Sequence, residues 1–173
     1  MKRSIAMLAI AATGFASTNL IAEESNSGPY IGVKTGTMSV DVSGFDSVSA
    51  TAFTLGASFN ENSSIELEFA NSSSGDIDGL TGDFTIKTAA VYYAFRSSGP
   101  AYVKGRIGFL QETVDINIES CGYYSLCDLS GDETGLSIGF GGGFKVGFAS
   151  IELDYTLVEE DVSFIALGIK LGY

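Results

Sequence analysis

The sequence contains no histidine and no tryptophan, only 2 prolines, and 9 basic residues against 21 acidic ones. Without histidine the chain lacks the commonest general base and the one side chain that ordinarily titrates near neutrality. The acidic excess excludes the phosphate-neutralising surface of a nucleic-acid binder, so no nucleic-acid partner is expected. Few prolines leave long strands uninterrupted. Beyond the N-terminal segment no run approaches the ~18 apolar residues of a membrane helix. Cysteine is limited to Cys121 and Cys127, within "ESCGYYSLCDLSGDE". Two thiols with no histidine make a poor zinc site, so neither a metal nor a cofactor is expected.

What the chain has in quantity is glycine, 22 residues, and hydrophobic residues, 45%, with a mean hydropathy of +0.26 at a formal charge of −12. A chain both acidic and this apolar needs two surfaces facing different solvents. Lys2 and Arg3 precede the apolar stretch "SIAMLAIAATGFAS", and Ala22 stands just before Glu23. This pattern predicts a secretory signal peptide over residues 1–22, with an earlier cut after Ala16 as the alternative, and one domain over 23–173. Export leads to an oxidising compartment, where Cys121 and Cys127 are expected to form a local disulfide contributing roughly 2 kcal/mol.

Period-2 alternation runs through the rest of the chain, broken at intervals by turn residues. It predicts eight strands, near 29–39, 49–60, 64–72, 83–96, 100–117, 134–147, 150–158 and 163–173. Short connections alternate with long ones rich in Ser, Gly, Asp and Glu, the arrangement of an up-and-down meander. One face is bulky and apolar, as in Phe53, Leu55 and Phe59, Ile65, Leu67 and Phe69, or Leu136, Ile138 and Phe140. The other is small or charged: Tyr30, Gly32 and Lys34; Glu66 and Glu68; Tyr102, Lys104 and Arg106; Gly139, Gly141, Gly143 and Lys145; Glu152 and Asp154. For the strand at 83–96, Val91, Tyr93 and Phe95 are assigned to the apolar face, with Lys87 beside them near the outer rim.

Parity does not say which face is inside, but volume does. The interior of an eight-stranded barrel is just wide enough for side chains to fill. Bulky groups from every strand would overfill it, whereas glycines mixed with a few long charged chains fit. The apolar face therefore looks into lipid, and the fold class is all-β: an eight-stranded antiparallel up-and-down transmembrane β-barrel. Closure also satisfies every backbone group where no water is present. A two-residue turn at Phe148–Ala149 would set Lys145 opposite Glu152, both inward.

The segments "YIGVKTG", "NSSIELEFA", "AYVKGRIGF", "GGGFKVGF" and "IELDYTLV" together resemble the OmpA-type eight-stranded outer-membrane barrel domain, from about Tyr30 to Tyr173. The resemblance implies a monomer in the bacterial outer membrane, in contact with membrane lipid and lipopolysaccharide. It also implies that the last strand, through Ile165, Leu167, Ile169, Leu171 and Tyr173, is the signal read by the barrel-assembly machinery. The chain departs from the family in ending on Tyr rather than Phe and in building its interfacial girdle without Trp. Eight-stranded lipid A deacylases and palmitoyl transferases are similar in size, but their chemistry uses histidine, so no catalytic residue is assigned.

The candidate site is the inward charge network of Lys34, Glu66, Glu68, Lys104, Arg106, Lys145, Glu152 and Asp154, four cations against four carboxylates. Buried charges persist only when paired and hydrogen-bonded. In the resembling family the position matching Glu68 belongs to an interior cluster proposed to gate a narrow conduit, so two readings stand. One is a polar core in a structural or surface-interaction protein; the other is a gated path for small ions or solutes. Lys170 also points inward, near the periplasmic mouth. "GFGGGF" (139–144) lies mid-strand with no helix after it, so crowding in the lumen explains it better than phosphate binding. Asp41, Asp46, Asp76, Asp78, Glu119, Asp128, Asp132, Glu133, Glu159, Glu160 and Asp161 crowd the long-loop end, where divalent cations bridging lipopolysaccharide, or basic partners, would be attracted.

Overall fold

The computed structural model describes residues 27–41, 45–77, 82–118, 128–159 and 161–172. The secondary structure in these residues is entirely β: β1 (Gly28–Val40), β2 (Val48–Ser58), β3 (Ser63–Ser72), β4 (Gly75–Asp76), β5 (Gly82–Arg96), β6 (Ala101–Ile118), β7 (Asp128–Val146), β8 (Ala149–Glu159) and β9 (Val162–Gly172). β4 is a two-residue stub paired with the start of β5. The eight long strands run antiparallel to their neighbours, and the pairing of β1 with β9 and of β3 with β5 closes the sheet into a barrel. The proposed signal peptide, Cys121, Cys127 and Tyr173 lie outside the described residues.

Facing follows the alternation. Val103, Phe109, Leu136 and Phe140 are each at least 65% exposed, while Glu66, Lys104, Arg106 and Glu152 are no more than 5% exposed. Those outward residues gain nothing from water and everything from a hydrocarbon solvent. Ile165, Leu167, Ile169 and Leu171 on β9 are exposed in the same way, and β9 pairs with β1 from Gly172↔Tyr30 to Val162↔Val40. Val91, Tyr93 and Phe95 face outward, with Lys87 on the same side, ion-paired to Asp115 at 2.8 Å. That pair sits above the apolar belt, where the hydrogen bond from Lys87 holds the Asp115 carboxyl below its ordinary range.

Three expectations need correction. The β7–β8 turn is Gly147–Phe148, not Phe148–Ala149, so Lys145 lies opposite Ser150 and Glu152 lies opposite Gly143. Gly147, at φ +62°, can adopt the left-handed conformation that the tight turn needs, and this fixes the register. The ladder moves by two residues, so each side chain keeps its face. Second, β7 starts at Asp128 rather than near 134, because above the membrane a paired strand has no need of apolar alternation. Third, the inward face is not uniformly small or charged. Toward the long-loop end Met38, Val48, Phe84, Ile86, Leu110 and Phe164 are all buried together and fill the barrel with an apolar plug.

Candidate functional site

Below that plug the lumen holds charge. Glu66 and Glu68 project inward two residues apart on β3, as do Lys104 and Arg106 on β6 and Glu152 and Asp154 on β8; Lys34 and Lys170 come from the adjoining β1 and β9. A strand presents every second residue to one face, so the E-x-E, K-x-R and E-x-D spacings each deliver two charges to the same interior. The inward glycines of β7 make the space. A Cβ at Gly139 would meet Arg106 Nε at 2.8 Å, and one at Gly143 would meet the Tyr102 ring at 2.7 Å.

Each carboxylate meets more than one cation. Glu66 lies 2.5 Å from Lys170 Nζ, 3.7 Å from Arg106 and 3.9 Å from Lys104. Glu68 lies 2.9 Å from Lys34 and accepts two hydrogen bonds from Arg106, at 2.6 and 3.1 Å. Glu152 is 2.7 Å from Lys104 and 2.9 Å from Lys170, and Asp154 is 3.0 Å from Lys104 and 3.7 Å from Lys34. Neutral hydroxyls add to the shell: Tyr30 donates to Glu66 at 2.8 Å, Tyr102 donates to Glu152 at 2.5 Å, and Arg106 donates to Thr156. Arg106 also lies over the Tyr92 ring, 4.3 Å from its centroid.

Seven of the eight sequence-predicted residues therefore converge: Lys34, Glu66, Glu68, Lys104, Arg106, Glu152 and Asp154. Lys145 does not join them. Among the described residues it makes no ion pair with these carboxylates and rests 5.9 Å from the Tyr102 ring near the β7–β8 turn. The register of that turn moved Glu152 out of its reach, and the fourth cation is Lys170. Its inward direction was legible from parity, but its reach to Glu66 depends on the barrel's closure. Arg96, a buried cation, stacks between Tyr30 and Tyr102 at 5.5 and 5.9 Å; its signal was the same inward parity on β5.

Chemically this is a neutral, close-packed salt lattice. The free space among Lys34, Glu66, Glu68, Arg106, Glu152, Asp154 and Lys170 is about 10 Å³, barely what one water needs. Lys34 Nζ, 5.2 Å from the Phe164 ring, marks where the lattice meets the apolar plug.

Solved barrels share this architecture. Neisserial surface protein A superposes with a TM-score of 0.68 at 10% identity, covering 85% of this chain and 98% of that one. Ail, the attachment invasion locus protein of Yersinia pestis, gives 0.55 at 19% identity, covering 85% and 96%; it has also been solved with the heparin analogue sucrose octasulfate. The N-terminal β-barrel domain of Pseudomonas aeruginosa OprF gives 0.56 at 13% identity, covering 84% and 98%. No curated protein matches the sequence. The outer membrane protein beta-barrel domain model matches residues 7–173, and this chain is a member of that bacterial outer-membrane family.

Proposed function

We propose that this protein is a non-catalytic component of the Gram-negative outer membrane whose working surface is its exterior and outer rim. The observation that carries this reading is the filled lumen, a salt lattice with about 10 Å³ of free space beneath an apolar plug built around Phe84, Ile86 and Phe164. An ion entering such a path would have to break paired charges and then lose its hydration against apolar side chains, each step unfavourable by several kcal/mol. The gated-conduit alternative draws support from the charges, but the plug opposes it.

The same reading takes residues 1–22 as the export signal, residues 23–173 as the barrel, and Cys121–Cys127 as a disulfide formed after export. It takes the terminal strand as the substrate of the barrel-assembly machinery, and membrane lipid and lipopolysaccharide as the surroundings of a monomer. The heparin analogue bound by Ail is a polyanion. A chain with 21 acidic residues is a poor host for such a ligand and a better one for cations or basic partners.

Planar-bilayer recording on the refolded protein tests this. Electrical silence is expected for the wild type. Stepwise conductance that changes when Glu68→Gln is introduced would overturn the reading in favour of the conduit.

A further inference from the structure

Past residue 22 the chain has few cations, and most of them are spoken for. Lys34, Lys104, Arg106 and Lys170 balance the four carboxylates of the lattice, and Lys87 is held by Asp115. Arg96 and Lys145 are left over. Among the described residues neither forms an ion pair, although acids outnumber bases 21 to 9 in this sequence.

Both lie at the same end of the barrel. β5 ends at Arg96, and β7 turns back just after Val146, beside the short turns that an outer-membrane barrel directs to the periplasm. Their neighbours Phe95, Phe144 and Val146 face lipid, so Arg96 and Lys145 face the lumen, away from lipid headgroups. Each is 5.9 Å from the Tyr102 ring. Their main chains are pinned to neighbouring turns. The Arg96 N–H donates to the Asn62 carbonyl at 2.8 Å, the Arg96 carbonyl accepts from Asn62 Nδ2 at 2.8 Å, and the Lys145 N–H donates to the Pro100 carbonyl at 2.8 Å.

Arg96 is only 9% exposed, yet its guanidinium makes one long side-chain hydrogen bond, to Ser64 Oγ at 3.3 Å. It also stands directly opposite Lys104 in the β5–β6 register, a like-charge pairing that sheets disfavour. Lys104 is compensated by Glu152 and Asp154. Arg96 has only the faces of Tyr30 and Tyr102, which offset part of the cost of burying its charge. A guanidinium is a planar fork of donors shaped for a carboxylate. Outside the lattice, the one described acid at this end is Glu61, exposed in the β2–β3 turn. The acids that make the outer rim a poor host for polyanions are at the opposite end.

We infer that the periplasmic mouth of the barrel binds an acidic peptide segment of a periplasmic partner protein. One carboxylate takes the Arg96 fork and a second, further along the segment, reaches Lys145. The strands of these two cations flank β6, so their roots are roughly 10 Å apart. That spacing suits two carboxylates on one chain better than a single compact phosphate. The inference goes beyond the outer-rim reading and adds a second contact surface, and bilayer recording tests that other reading separately.

The test uses the isotope-labelled chain refolded in detergent micelles and a synthetic ten-residue peptide alternating glutamate and serine, with its glutamine–serine counterpart as control. The glutamate peptide should shift the Nε–H resonance of Arg96 and leave that of Arg106, locked in the lattice, in place. The shift should weaken with added salt and be absent with the glutamine peptide. Affinity should fall about tenfold in Arg96→Gln and several-fold in Lys145→Gln, hold in Lys87→Gln and rise in Glu61→Gln. If Arg96→Gln fails to fold, Lys145→Gln decides the matter, since Lys145 makes no ion pair whose loss would unfold the barrel. No Arg96 shift at millimolar peptide, or undiminished binding to Lys145→Gln and Arg96→Gln, would overturn the site. Displacement of the peptide by an equal concentration of inorganic phosphate would replace the acidic segment with a phosphate ligand. Tighter binding of a cell-wall disaccharide tetrapeptide would replace the protein partner with a glycan.

Discussion

Arg106 on β6 grips Glu68 on β3 with two hydrogen bonds, Nη1 to Oε2 at 2.6 Å and Nη2 to Oε1 at 3.1 Å. Both side chains are almost wholly buried, and β5 lies between their strands in the barrel wall. A bidentate pair of this kind fixes direction as well as distance, which lysine in place of arginine does not reproduce.

Removing one member of this pair strands the other in a water-poor interior. Arg106→Ala should lower stability by about 3–5 kcal/mol, and Arg106→Lys by less but measurably. The combined Arg106→Met/Glu68→Leu variant should recover much of the single-variant loss, since it removes the desolvation penalty along with the attraction. Urea titration followed by the mobility of the unboiled protein on gels reads this without needing tryptophan. A single variant as stable as the wild type would show that the pair contributes nothing net.

Lys170 and Lys145 separate the observed register from the one expected of the sequence. Lys170 lies within 3 Å of both Glu66 and Glu152, whereas Lys145 stands partly exposed beside Tyr102. Lys170→Met should cost about 3 kcal/mol by leaving two carboxylates short of a cation. Lys145→Met should cost less than about 1 kcal/mol. The opposite ranking in the same urea titration would restore the Phe148–Ala149 turn.

The barrel and most of the lattice were legible because lipid and a narrow lumen impose opposite demands on alternate residues. Glu66 and Glu68, or Lys104 and Arg106, carry that contrast in a few letters. The partner of Lys145 was not legible, since moving a turn by one residue preserves parity while shifting every cross-strand neighbour by two. The plug escaped for another reason. In "SFIALG" Phe164 faces inward and Ile165 outward, and both are apolar, so composition does not tell a core from a lipid face. The top of β7 escaped because "SGDET" (130–134) is exposed throughout and has no apolar alternation to betray a strand.

The plug makes its own prediction. Phe164 is 2% exposed and belongs to the apolar cluster above the salt lattice. Phe164→Ala should cost about 3–5 kcal/mol through lost burial and a residual cavity. The lattice below remains filled, so the same variant should stay silent in a planar bilayer. Current through Phe164→Ala alone would make the plug, and not the paired charges, the barrier to ions.

Two glycines of opposite setting give the sharpest test of which face is which. Gly168 is inward on β9, and a Cβ there would stand 2.6 Å from Lys34 Cβ and 2.9 Å from the Val33 carbonyl. Backbone and the root of a side chain cannot yield as a flexible tip can, so Gly168→Ala should cost about 1–3 kcal/mol by overpacking. Gly105 faces outward on β6, with nothing within 4 Å of its Cβ position. There alanine relieves the entropy that a strand glycine loses on folding and adds a methyl to the lipid face, so Gly105→Ala should stabilise by about 0.5–1 kcal/mol. The same substitution is thus expected to act with opposite signs on adjacent faces of one barrel. If both changes destabilise equally, the assignment of lumen and lipid in this part of the wall is wrong.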